Sequence, residues 1–282
     1  MTGLDSAAPA PIEQKAPVGF SPARVGAMVL RHLYLLRGSW VRVTELAYWP
    51  IVQMIVWGFI TQFFMTNSNW VARATGVLLA AALLWDVLFR SQLGVSMSFL
   101  EELWSRNLGN LFVSPLKPYE FGISLLVMSV IRTLMGMVPA AVLAIPLYHY
   151  SVFSLGLPLI AFFSCLMAMG WAIGLAVSGL VLRYGMGAES LAWVTIFAFS
   201  PVSGVYYPIS VLPFWLQWVA WATPSAYVFE GMRAVMFENA FRWDLLAGGL
   251  VVGLVYMGIG IWCFLLGFAH ARRAGKLLQQ GE

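Results

Sequence analysis

The sequence predicts an all-α membrane protein. Six transmembrane helices follow an N-terminal amphipathic interfacial helix, with a short cytoplasmic helix between spans 2 and 3 and a re-entrant outer helical hairpin between spans 5 and 6. Three observations predict it. Of 282 residues, 61% are hydrophobic and only 10% are charged, whereas soluble domains carry about 25% charged residues. The apolar residues gather into runs that approach the roughly 20 residues needed to cross a bilayer. Three further segments are apolar or amphipathic but interrupted, so they cannot be plain crossings. So little charge excludes a disordered chain, and two cysteines exclude a disulfide scaffold. Cys165 and Cys263 both lie inside apolar runs and carry no redox information.

The six runs are Tyr48 to Met65, Thr75 to Phe99, Phe121 to Leu147, Leu155 to Leu182, Leu191 to Tyr207 and Leu245 to Ala269. The first and fifth are short. Residues 1–21 lack the apolar stretch of a cleavable signal and are expected to form a disordered cytoplasmic tail. Residues 270–282 form a second cytoplasmic tail. With the N-terminus inside, eleven basic residues fall on the cytoplasmic side, among them Arg24, Arg31, Arg37, Arg42, Arg106 and Lys117. Three, Arg73, Arg233 and Arg242, fall on the other. This asymmetry puts both termini in the cytoplasm. The scattered basic residues offer no nucleic-acid surface, and the partner medium is lipid.

Residues 22–44 read as a basic amphipathic helix. Val25, Met28, Val29, Leu33, Leu36 and Trp40 recur at helical spacing, with the arginines elsewhere on the surface. Pro22 suits a first helical turn, and such a helix lies along the interface near anionic headgroups. Beyond anchoring, it is placed to brace a cytoplasmic partner.

The second interrupted segment, about 101–111, opens with Glu101 and Glu102, acids that favour a helix N-terminus. Leu103, Leu108, Leu111 and Phe112 share an apolar face, and the breakers from Gly109 to Pro118 end the helix. A short surface helix of this kind fits a groove on another protein. The third segment is the outer hairpin, about 208–226. Pro208, Pro213 and Pro224 forbid a straight crossing, and Phe214, Trp215, Trp218 and Trp221 form an aromatic stripe suited to the headgroup level.

Catalytic chemistry is missing. No G-x-x-x-x-G-K-[ST] loop occurs, so ATP has no recognisable site in this chain. His32, His149 and His270 stand apart without metal-ligand spacing, and no G-x-S-x-G elbow is present. This chain is therefore not expected to be an enzyme. Three charges lie inside spans: Asp86, Arg90 and Arg132. Intramembrane charges are functional candidates by default. Asp86 and Arg90 are four residues apart and can pair within their helix; similar depth also makes an Asp86–Arg132 pair across spans 2 and 3 geometrically possible. A structural clamp and a place on a transport path both fit the cluster. The Gly170-x-x-x-Gly174 and Gly249-x-x-x-Gly253 spacings suit close helix contact, within the bundle or at a dimer seam.

The stretch Glu101 to Glu120 (EELWSRNLGNLFVSPLKPYE) and the stretch Ser200 to Arg233 (SPVSGVYYPISVLPFWLQWVAWATPSAYVFEGMR) together resemble the membrane subunit of an ABC-2 type exporter. The resemblance extends from about Val25 to Ala269, with residues 45–269 as the transmembrane domain. It implies a permease in a bacterial cytoplasmic (inner) membrane that pairs as a homodimer with two copies of a separate ATPase, which binds the ATP and Mg. It further implies a coupling helix around 101–111, with Glu101, Glu102, Trp104, Arg106, Asn107 and Leu108 at the ATPase. Substrate would pass between paired second and fifth spans, with Tyr206, Tyr207 and Pro208 as an outer gate. The implied cargo is an amphiphilic, lipid-linked or glycoconjugate or drug-like molecule, closer to the drug and lipo-oligosaccharide branch than to the capsule branch. Two competing readings are an ion-coupled secondary transporter using Asp86, Arg90 and Arg132, and a scaffold without flux. No inverted repeat of the secondary-transporter kind is evident.

Overall fold

A computed structural model describes residues 19–67 and 75–274. Most of the expected N-terminal tail, Arg73 and the end of the C-terminal tail lie outside the described residues. Every regular element among the described residues is helical. In chain order these are α1 (Pro22–Arg37), α2 (Trp40–Asn67), α3 (Thr75–Trp104), α4 (Leu108–Val113), α5 (Pro118–Tyr148), α6 (Leu157–Tyr184), α7 (Leu191–Phe199), α8 (Phe214–Trp221), α9 (Pro224–Arg233) and α10 (Trp243–Arg273).

Five helices are long and apolar enough to cross a membrane: α2, α3, α5, α6 and α10. The fifth expected crossing is shorter than the sequence suggests. Its α-helix ends at Phe199, and a 3-10 turn over Ser200–Val202 closes it well before Tyr207. Nine residues rise only about 14 Å, less than the roughly 30 Å of a hydrocarbon core. Pro201 removes an amide donor where the ladder stops.

The interfacial helix also differs from its expected bounds. α1 ends at Arg37, Gly38 and Ser39 break the chain, and Trp40 already begins α2. Residues 40–44 therefore belong to the first crossing. The buried face of α1 carries Val25, Met28, His32 and Leu36, spaced by three and four residues.

Close-packed glycines set the bundle register. A Cβ at Gly170 or Gly174 would strike Ser91, Gln92 or Val95, so α6 lies parallel against α3. A Cβ at Gly260 would meet Ala172, and one at Gly267 would lie 2.1 Å from the Gly179 carbonyl oxygen. Helices α6 and α10 thus run parallel in backbone contact. These small residues seat the chain's own helices; Gly249 likewise faces Tyr227 and Cys165 of the same chain. In the antiparallel α3–α5 pair, Gly94 abuts Ser129 and Gly136 abuts Arg90. The core lies around α3, of which 72% of the most apolar window is buried, against 17% for α2 and 22% for α10. α3 is the central post, and α2 and α10 are peripheral.

Candidate functional site

At the end of the bundle that carries α1, the acids at the end of α3 and the start of α5 meet the basic helix. Glu120 sits one turn into α5, where the helix dipole favours a carboxylate. It accepts hydrogen bonds from the backbone amides of Ser21 (2.8 Å) and Lys117 (3.0 Å) and from Arg24 Nε and Nη2 (2.8 and 2.6 Å). The hydrogen bond to Glu120 raises the Arg24 pKa above its ordinary value. Glu102, fully buried, accepts from Arg31 Nε and Nη2 (2.9 and 3.2 Å) and from Asn107 Nδ2 (2.7 Å). Glu101 accepts from Arg132 Nη2 at 2.7 Å, and its other oxygen lies 3.7 Å from Arg42. His32 is wholly buried between the two acids, 3.8 Å from each.

These contacts revise two expectations. Glu101 and Glu102 do not open a surface helix; they end α3 and face inward onto α1 and α5. Arg132 pairs with Glu101, and Asp86 pairs with Arg90 at 2.6 Å within α3, in place of the Asp86–Arg132 contact that similar depth allowed. The reason is register. α3 continues to Trp104 and α5 begins at Pro118, beyond their apolar ends. The Gly94–Ser129 and Gly136–Arg90 contacts then set Arg132 alongside the stretch between Arg90 and Gly94, below Asp86.

The chain reverses at Arg106, which adopts a left-handed φ of 56°, a conformation that disfavours most side chains. The six-residue α4 follows. Leu108 and Leu111 anchor it in the main core, while Trp104 is 42% and Val113 86% exposed. The Trp104 indole nitrogen donates to Glu189 (3.1 Å) in the connection between α6 and α7. The result is a small knob with an aromatic and an aliphatic side chain outward, tied through Asn107 and Glu102 to α1. Of the six residues expected there, Trp104 and Arg106 are exposed, Asn107 is half-buried, and Glu101, Glu102 and Leu108 are internal supports.

At the opposite end the irregular backbone from Ser203 to Pro208 is held by one ion pair on α9. Glu230 Oε1 accepts from the Ile209 amide (2.8 Å) and lies 3.0 Å from Arg233. Arg233 donates to the carbonyls of Gly204 and Tyr207, the latter at 2.9 Å. Gly204, at φ 73°, supplies the conformation the loop needs. Tyr206 stacks on Trp57 of α2 at 4.9 Å, and the Tyr207 hydroxyl donates to the Pro201 carbonyl (2.6 Å). Helices α8 and α9 follow at this end, with Phe214, Trp215 and Trp218 two-thirds or more exposed.

A family model described as ABC-2 type transporter matches residues 29–237, about three quarters of the chain. The chain belongs to the ABC-2 type transporter family. No curated protein matches it. It is thus the permease component of an ABC transporter, and ABC-2 membrane domains work with a separate ATP-binding subunit. The match begins within α1 and stops just before α10, so it takes in the Arg31–Glu102 pair, the knob and the irregular loop at the opposite end. In this permease the Glu230–Arg233 pair was visible in sequence only as a motif feature; the structure gives it the task of closing the carbonyls of an irregular loop. The bonds of Arg24 and Arg31 to distant acids had no local sequence signal. The nearest hint was Glu120 three residues after Lys117, a spacing at which a carboxylate returns to a helix start.

Proposed function

We propose that this permease exports an amphiphilic, lipid-linked, glycoconjugate or drug-like substrate across a bacterial cytoplasmic membrane, using ATP hydrolysed by two copies of a separate subunit. It acts as a homodimer with six crossings per chain, α7 and its turn serving as a short fifth. Both termini are cytoplasmic, which puts α1, the α3 end and α4 beside the ATPase. This chain binds no nucleotide and performs no catalysis itself.

The knob at α4 carries this reading. An exposed valine and tryptophan at the tip of a charged network are costly in water unless a partner covers them. In the working cycle the ATPase grips Trp104, Arg106 and Val113. Its closure moves α4, and Asn107, Glu102 and Glu101 pass the motion to α1 through Arg31 and to α5 through Arg132. The central α3 then shifts against α7 and the outer loop, where Tyr206, Tyr207 and Pro208 gate release. The ion-coupled alternative would need titrating charges free to trade partners along a path. Asp86 and Arg90 instead neutralise each other within one helix, and Arg132 is bound at the α1 end.

Val113→Asp places an unpaired charge on the knob while leaving every bond of the network intact. It should abolish co-purification of the ATPase with a chain that still melts at the wild-type temperature. Undiminished co-purification would rule against docking at α4.

A further inference from the structure

The outer end contains a cleft of about 380 Å³ that the transport reading does not use, within the roughly 300–1,000 Å³ range of small-molecule sites. It is lined by Ile209, Gln217 and Trp221 and by Phe237, Arg242 and Leu245. Glu230 and Arg233 also line it and are already committed to each other and to the loop backbone. They add no net charge.

The rim is different. Glu238 is exposed, and no hydrogen bond or ion pair of the described residues occupies its carboxylate. Arg242 is bound to Asp244 at 2.5 Å, but both side chains are about half exposed or more, so water and salt weaken that pair and a ligand anion can replace it. The Asp244 carboxylate, and after it Glu238, hold the Arg242 pKa above its ordinary value. The rim therefore carries one cation, Arg242, between two acids, Asp244 and Glu238. A purely anionic ligand would meet both acids. A ligand with a phosphate and an ammonium can set the first at Arg242, in place of Asp244, and the second at Glu238.

Depth argues the rest. Phe214, Trp215 and Trp218 on α8 are strongly exposed, as befits side chains at the headgroup layer. Phe237, half exposed, and Leu245 on α10 also line the cleft. A head bound there thus has apolar side chains beside it for a tail.

We infer that this cleft binds a zwitterionic phosphate–ammonium headgroup, with the phosphate at Arg242, the ammonium at Glu238 and the lipid tail along Phe237 and Leu245. The placement rests on α8 lying at a bilayer surface and not on coupling to an ATPase, so it stands or falls separately from the docking of α4.

The test is lipid retention by the purified full-length chain in detergent, read by native mass spectrometry with dioleoyl phosphatidylethanolamine or dioleoyl phosphatidylglycerol added. The wild type should retain the ethanolamine lipid about tenfold more tightly, the value of one charge-assisted contact. Glu238→Gln should erase that preference, Glu238→Asp should restore part of it, and Arg242→Gln should weaken both lipids. Both positions are exposed, and an unchanged melting temperature checks the fold. Competition by water-soluble glycerophosphoethanolamine would assign the site to headgroups entering from water, and resistance to it would assign it to a bilayer lipid. Equal retention of the two lipids, or unchanged ethanolamine-lipid retention in Glu238→Gln, would overturn the inference.

Discussion

The two ends of the bundle use charge in opposite ways. At the α1 end, partners lie far apart in sequence: Arg24 and Glu120 are 96 residues apart and Arg31 and Glu102 are 71. Each bond ties together elements that would otherwise meet only through apolar contact. At the other end Glu230 and Arg233 are three residues apart on one helix and close the backbone of a nearby loop. Distant pairs make one body of α1, α3 and α5. A local pair holds an irregular segment that crosses no membrane by itself. In the proposed cycle the first end is pushed, and the second holds its shape until something moves beneath it.

The largest expected effect comes from breaking the α6–α10 seam that runs between the two ends. Gly267→Val sets a side chain against the Gly179 backbone, which cannot yield as a flexible side chain would. It should cost about 3 kcal/mol or more, seen as a lowered melting temperature in detergent. A wild-type melt would show that the α6–α10 backbone contact does not hold the bundle together.

Arg233→Gln attacks the outer end alone. Two carbonyls lose a charged donor, and Glu230 loses its counter-ion, for about 2 kcal/mol of local stability. Hydrogen exchange should speed up at residues 203–209 while amides of α1 and α3 keep their protection. Faster exchange spread over both ends would show that the outer pair is not local.

A smaller effect separates the two candidate partners of Arg132. In double-mutant cycles on stability, Glu101 with Arg132 should couple by about 1 kcal/mol or more, while Asp86 with Arg132 should fall within about 0.5 kcal/mol of additive. The reverse ranking would restore a pairing across the middle of the membrane.

Much of the fold was legible because its determinants are local. Composition and run length suffice for the long crossings, and the prolines after Tyr207 announce a broken segment. Helix ends were less so. The sequence suggests a break before Glu101, but α3 continues through both acids because nothing from Phe99 to Trp104 disfavours a helix. Once the helix extends, the two glutamates face Arg31 and Arg132 and not a partner protein. The spacing of apolar residues carries the interfacial helix through to residue 44, yet Gly38 ends α1 and Trp40 and Arg42 fall on the first crossing. Similar depth failed for Asp86 and Arg132 because glycine contacts, and not chain ends, set the α3–α5 register. His32 reads in sequence only as an isolated imidazole without metal-ligand spacing; its burial between two acids depends on α1 meeting the end of α3. Val113 lay just past the expected helix, although it is 86% exposed.

The central claim is that Glu102 transmits a push and does not receive it. The direct measurement is ATP hydrolysis and substrate efflux in the same proteoliposomes, holding Glu102→Gln permease and its ATPase. Glu102 is fully buried, but Arg31 is 39% exposed and can turn to solvent, so the variant should lose only about 1–2 kcal/mol of stability and still assemble. The account predicts hydrolysis near the wild-type rate with efflux about tenfold lower. Efflux that stays in wild-type proportion to hydrolysis would contradict it.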